Sequence, residues 1–93
     1  MPFYVYILTT RKNTILDTGM TSDLARRMEE HRTGFHSAFT KKYACDKLVH
    51  AEETSEVDQA VARERWIKRW RRAWKIELIE KTNPNWEDLA KYL

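Results

Sequence analysis

The sequence predicts an α+β domain with the element order β-β-α-β-α-α. Three observations carry this. Residues 3–9, Phe-Tyr-Val-Tyr-Ile-Leu-Thr, are aromatic, aliphatic or β-branched without interruption, as suits a central strand covered on both faces. Residues 22–32 and 55–81 place apolar side chains at helical spacing. Only two glycines and two prolines interrupt the chain, so regular elements must be joined by short connections.

Taken in order, the strand at 3–9 is followed by Arg11-Lys12-Asn13, a polar turn whose asparagine tolerates a left-handed backbone. A second strand at about 14–20 then closes an antiparallel hairpin, and Gly19 near its end permits a close approach of backbone or ligand. Ser22 or Asp23 caps a helix running to about Arg32 and ended by Gly34. Leu24, Met28 and His31 fall on one stripe of that helix, with Arg27 on its edge. Residues 34–46 show no period and read as a loop. A third strand is expected at 47–52, with Leu48 and His50 on one face. Ser55-x-x-Asp58 has the form of a capping box opening a long helical segment, whose apolar stripe holds Val57, Ala60, Val61 and Ile67. The phase changes around Trp70 to Arg72, which predicts a kink or a second helix continuing to Glu80-Lys81, and Asn83-Pro84 stops it. Trp86 to Leu93 closes the chain as a short helix, with Trp86, Leu89 and Leu93 packing back.

Composition narrows the class. Apolar residues make up 42% and charged residues 33%, the mixture of a folded protein, and 93 residues suffice for one modest core, so residues 1–93 are expected to be a single domain. The longest apolar run, Phe3 to Leu8, is too short to span a bilayer, and Met1-Pro2 leads into a strand without a signal sequence. The single cysteine, Cys45, excludes an internal disulfide and fits a reducing compartment; the expected location is cytoplasmic. The net charge is +3, and residues 63–75 hold seven basic residues against one acid, a bias toward polyanionic partners.

Several residues are of the types that act on phosphodiesters. Glu64 falls within the apolar stripe of its helix, between Ala60 and Val61, where a carboxylate needs a cation: a metal ion, or Lys68 or Arg71 on the same helix face. Arg27 and His31 are one turn apart and can face one site; alone they read equally as a solvated arginine and a half-buried histidine. Tyr4 and Tyr6 share a strand face, a feature that sheet packing also explains. Trp66, Trp70 and Trp74 recur every four residues among arginines; they suit packing against the rest of the chain, a homodimer or protein partner, or stacking on bases.

In their order these pieces resemble the GIY-YIG nuclease domain: Tyr4-Val5-Tyr6, then Asp17-Thr18-Gly19, a helix bearing Arg27 and His31, and a late helical Glu64. The resemblance is to the small stand-alone bacterial members, related to the N-terminal domain of the UvrC repair nuclease and to homing endonucleases. It takes in Arg-Glu-x-x-Ile-Lys at 63–68, Trp-Lys-Ile-Glu-Leu-Ile at 74–79 and Asn83-Pro84-x-Trp86, and so extends over nearly the whole chain. It implies a three-stranded antiparallel sheet flanked by helices and a divalent-metal-dependent endonuclease acting on DNA. By the same resemblance Glu64 holds Mg²⁺ or Mn²⁺, Arg27 stabilises charge on the scissile phosphate, Tyr6 supports the second-motif tyrosine that helps activate water, and His31 contributes further. Tyr4 and Gly19 belong to the frame along which substrate approaches, and Arg26, Lys41, Lys42 and Lys68 are the candidate nucleic-acid contacts.

The second motif departs from the family's Tyr-x-Gly, because Asp17 stands where the tyrosine is expected. A carboxylate is shorter than a phenol and already charged at neutral pH. Two roles are open to it: a second metal ligand in a working site, or the mark of a catalytically silent module that binds nucleic acid or a protein.

Overall fold

The computed structural model describes residues 1–33 and 44–93. Its centre is a three-stranded antiparallel sheet in the order β2-β1-β3, formed by β1 (Phe3–Thr9), β2 (Leu16–Thr21) and β3 (Lys47–Thr54). Helix α1 (Leu24–Thr33) follows β2, and α2 (Val57–Arg69) and α3 (Arg72–Thr82) follow β3, with a 3₁₀ turn at Leu89–Tyr92. The α+β order predicted from the sequence is the observed one. Gly34, most of the predicted loop, and Lys41 and Lys42 lie outside the described residues.

The uninterrupted apolar character of β1 has its reason in the layers. Tyr6 and Leu8 face a core built with Leu24, Met28, Cys45, Leu48 and Ala90. Val5 and Ile7 face the opposite core with Val49, Ala60, Ile67 and Ile79. The first core is roofed by α1 and the 3₁₀ turn, the second by α2 and α3. No helix among the described residues is long and apolar enough to cross a membrane.

Four local expectations are corrected. First, β2 starts at Leu16 rather than near residue 14, because the turn is wider: Asn13 adopts φ 58°, its N–H bonds the Thr10 carbonyl, and the Thr10 and Thr14 hydroxyls pair at 2.8 Å. Second, Leu48 and His50 do not share a face. Leu48 pairs with Leu8 and His50 with Ile7, so Val49 is the extra residue of a β-bulge that sends His50 and Glu52 to the α2 side. Third, Ser55 does not cap α2; the Thr54 hydroxyl accepts the Glu56 N–H and donates to Gln59, and Val57 is left exposed. Fourth, the closing segment is helical only at Leu89–Tyr92. Trp86 sits in a left-handed turn (φ 55°) and packs on the second core, whereas Leu93 is 57% exposed.

The break between α2 and α3 falls where the apolar phase changes. Trp70 and Arg71 are both extended (ψ 147° and 156°), which turns the chain before α3 begins. The far end of α3 is held by Asn83, which does more than stop a helix. Its amide donates to the carbonyls of Val49 (3.1 Å) and Glu87 (2.9 Å), and its oxygen accepts the Glu87 N–H at 3.0 Å. Replacing buried Asn83 by alanine leaves these groups without partners; Asn83→Ala is expected to lower stability by about 1–3 kcal/mol in urea denaturation.

The bulge also sets a charged tie between β3 and α2. His50 Nε2 and Glu52 Oε2 are 2.7 Å apart, and Arg63 donates to both Glu52 oxygens at 2.8 and 3.0 Å. Burial alone would push the Glu52 carboxyl up, but the Arg63 and His50 bonds together hold it below the ordinary glutamate value. A depressed carboxyl contributes stability above its unfolded pKa, about 4.5, and loses it as pH falls through the folded value. Thermal unfolding of Glu52→Gln should therefore show a weaker dependence on pH below about 4.5 than the parent protein does.

Candidate functional site

The site begins with a missing side chain. In the β1–β2 pair, Tyr6 stands opposite Gly19. A Cβ at Gly19 would lie 2.6 Å from the Tyr6 hydroxyl oxygen and 2.7 Å from its ring carbon Cζ, closer than nonbonded atoms tolerate. The phenol thus lies flat across β2 and brings its oxygen toward the outer edge of the sheet. Gly19 permits a close approach, as its sequence position suggests, and what approaches is Tyr6.

Helix α1 supplies the next groups. Asp23 caps it by accepting the Arg26 N–H at 3.1 Å, while the Thr21 hydroxyl accepts the Asp23 N–H. Leu24 and Met28 bury one stripe, and His31 follows them into the core with its ring edge-on to Tyr6, centroids 6.2 Å apart at 78°. Arg27, on the rim of that stripe, donates from Nη1 to the Tyr6 oxygen at 3.4 Å, and its Nε lies 3.3 Å from Glu30. The guanidinium is thereby held at the sheet edge with part of its surface open to solvent. Arg26 is exposed one residue away. Tyr4 diverges from the group: its hydroxyl donates to Glu53 on β3 at 3.1 Å, on the other side of β1 from β2.

Two carboxylates complete the constellation from different elements. Asp17 lies on β2, opposite Leu8. Glu64 comes from α2, which packs against β2 as well as β1 and so reaches the same edge from below. Its side chain is 19% exposed and pairs with Lys68 at 2.9 Å, the intrahelical partner its sequence position offered. Both carboxylates act on the Tyr6 phenol. Burial raises its pKa first, Arg27 opposes this by charge and hydrogen bond, and Asp17 and Glu64 raise it further. Tyr6 is accordingly a neutral hydrogen-bonding anchor at physiological pH. Burial, with Asp17 and Asp46 nearby, also pushes the Cys45 thiol up to about 11, which leaves it an inert core residue.

Tyr6, Asp17, Gly19, Arg27, His31 and Glu64, drawn from β1, β2, α1 and α2, therefore meet at one edge of the sheet. Among the described residues no group of three or more His, Cys, Asp or Glu is placed to hold a metal ion. A site at Glu64 would have to be of the kind in which one carboxylate binds Mg²⁺ and water and phosphate oxygens fill the remaining positions, and a partly exposed carboxylate among phosphate-binding cations fits that kind. Sequence reasoning missed Lys75. This residue of α3 is half-buried and lies within electrostatic reach of Asp17, Lys68 and Arg72. Its signal was only the basic bias of residues 63–75.

The tryptophans lie elsewhere. Trp66 is 61% and Trp74 49% exposed. Trp70 packs on the second core, edge-on to Trp74 at 6.3 Å, with the Arg63 guanidinium over its ring at 5.1 Å. Since Arg63 reaches Glu52 on β3 while Glu64 reaches the β2 edge, the tryptophan face and the Glu64 face occupy opposite flanks of α2.

Comparison with known proteins bears on this arrangement. The GIY-YIG catalytic domain profile matches residues 2–77. A UPF0213 protein of Syntrophus aciditrophicus is 40% identical over 82 residues, covering 87% of this chain and 92% of that protein. A UPF0213 protein of Clostridium perfringens is 34% identical over 88 residues, covering 95% and 94%. The solution NMR structure of a UPF0213 protein from Bacillus halodurans superposes with a TM-score of 0.61 at 27% identity, covering 98% of this chain and 96% of that one.

The Gly19–Tyr6 contact gives a direct test of the frame. Gly19→Ala must displace the Tyr6 ring, and Tyr6→Phe would remove only the oxygen clash, because Cζ remains at 2.7 Å. Gly19→Ala is expected to cost about 1–3 kcal/mol in denaturant titration, with the double variant Gly19→Ala, Tyr6→Phe recovering only part of it.

Proposed function

The chain belongs to the GIY-YIG catalytic domain family, and from that premise we propose that it is a divalent-metal-dependent endonuclease acting on the phosphodiester bonds of DNA, with its site at the β2 edge. The observation that carries this reading is the Tyr6 phenol, laid over Gly19 and fastening Arg27 beside the carboxylates of Asp17 and Glu64.

Each residue has a part that its surroundings support. Arg27, fixed by Tyr6 through one nitrogen, keeps other N–H groups for the non-bridging oxygens of a phosphate, where a planar fork gives two parallel bonds. Its charge opposes the negative charge that grows on the phosphate oxygens as the bond breaks. Tyr6 holds that arginine and stays protonated. His31, edge-on to the Tyr6 ring, fixes the phenol's orientation from the core side. Glu64 is the residue that would hold Mg²⁺ or Mn²⁺, and Lys68 neutralises the same carboxylate when no metal is there. The metal, when bound, supplies charge neutralisation at the phosphate and makes a bound water more acidic. Asp17 places a carboxylate where the family pattern has a phenol. It serves either as a second metal ligand beside Glu64 or, if it cannot, as the point at which catalysis is lost and nucleic-acid binding alone remains.

A cleavage assay with single-stranded and duplex DNA and with RNA, in Mg²⁺ and in Mn²⁺, decides between these. The expected result is cleavage by the protein that falls about 100-fold or more in Arg27→Ala and vanishes in Glu64→Ala. Cleavage that appears only in Asp17→Tyr would place the loss at the second motif and leave the binding module as the function. Silence in the protein and in Asp17→Tyr alike would rule out the nuclease reading.

A further inference from the structure

The basic residues at the junction of α2 and α3 are not accounted for by Arg27 and Glu64. Lys68 ends the Glu64 face of α2, with Nζ 2.9 Å from Glu64. The extended pair Trp70-Arg71 then turns the chain, and α3 starts with Arg72, whose Nη2 donates to the carbonyl of Asn13 in the β1–β2 turn at 3.0 Å. That bond docks the first turn of α3 on the β2 end of the sheet. Lys75 is one helical turn further on, on the same face as Arg72. Lys68 thus pairs with Glu64, and Lys75 lies within electrostatic reach of Lys68, Arg72 and Asp17, while Arg27 comes from α1 on the other face of the sheet.

Like charges gathered in this way oppose one another. Burial disfavours the charged form of Lys75 first, Arg72 and Lys68 add repulsion, and only Asp17 opposes them. Two carboxylates, Asp17 and Glu64, face three cations, which leaves this cluster with an excess of positive charge. Lys68 is satisfied by Glu64 and Arg72 by a neutral carbonyl, so further negative charge at this edge is favoured.

We propose that Lys68, Arg72 and Lys75 form a second phosphate-binding wall that holds the backbone phosphate of a nucleic-acid strand adjacent to the one held by Arg27. It rests on the nuclease reading only for which phosphate Arg27 holds; the wall itself requires backbone binding and no cleavage. A strand bound so crosses the β2 edge between α1 and the α2–α3 junction, gripped on each side of the carboxylates. The wall touches backbone and not base edges, so it confers affinity with little sequence preference.

The test is fluorescence anisotropy of labelled single-stranded and duplex oligodeoxynucleotides over a salt series, in chelator so that no cleavage intervenes. Lys75→Gln and Arg72→Gln are expected to weaken binding about 3- to 10-fold near 0.1 M salt and to reduce the slope of log affinity against log salt by about 0.7–0.9 each. Lys75→Arg should keep the parent affinity. Lys81→Gln, a change on the same helix beside the Trp70–Trp74 cleft, should alter neither quantity. Circular dichroism separates a folding defect in Arg72→Gln, whose arginine also docks the helix, and Lys75→Gln carries the test alone if one is found. Parent-like binding and salt slope in Lys75→Gln would overturn the wall, as would a parent protein that binds no oligonucleotide. Reduced binding in Lys75→Gln with no cleavage by the parent would uphold the wall while the nuclease reading fails. Glu64-dependent cleavage with unaltered binding in Lys75→Gln would do the reverse.

Discussion

The absence of a side chain at Gly19 is the constraint on which the site depends. A tyrosine on a central strand ordinarily points its hydroxyl away from the sheet. Tyr6 is instead folded down across its neighbour, with its oxygen where a Cβ of residue 19 would be. That places a polar atom from the middle of the sheet at its edge without breaking the β1–β2 ladder. Arg27 is fastened to that oxygen, and His31 sets the ring's orientation from the core. Arg27 and the Tyr6 phenol are thus positioned by packing around one glycine.

The sheet order makes this edge accessible to both layers. With β1 in the centre and β2 outside, α1 on one face and α2 on the other can both reach around β2. Ala60 and Ile67 seat α2 on the sheet, which leaves Glu64 and Lys68 on the β2 flank and Arg63 with Trp66 on the β3 flank. The bulge at Val49 serves the second flank, since it turns His50 and Glu52 toward Arg63. One helix therefore carries a structural ion network on one side and the candidate site on the other. The number of basic residues in α2 cannot be read as a single binding surface.

Much of this was legible in the sequence where local chemistry decides the outcome. The unbroken run at 3–9 announced a strand with two covered faces, Asn13 a left-handed turn, Asp23 a cap, and the phase change at Trp70 a break between helices. The residues that converge at the β2 edge were recognisable from the order of the family's motifs. What the sequence hid depends on contacts distant along the chain. A one-residue bulge at Val49 reverses the face of His50 and Glu52, and no local pattern marks it. Ser55 and Asp58 had the right spacing for a cap, but Thr54 makes the bond first. Lys75 looked like one charge among seven, and only the docking of Arg72 on the Asn13 carbonyl brings it to Asp17.

That last placement changes how Asp17 is understood. Seen from the motif alone, a carboxylate in place of a phenol is a loss, since it adds a second negative charge to the site that holds Glu64. In the folded chain the carboxylates do not stand alone. Arg27 lies on the α1 side and Lys68 and Lys75 on the other, and the charge at the edge is balanced or positive before any metal is added. Asp17 supplies the opposite charge that offsets Arg72 and Lys68 at Lys75, and a tyrosine at position 17 would remove it. Asp17 and Lys75 are therefore better understood as two opposite charges that offset one another than as a defect and a bystander.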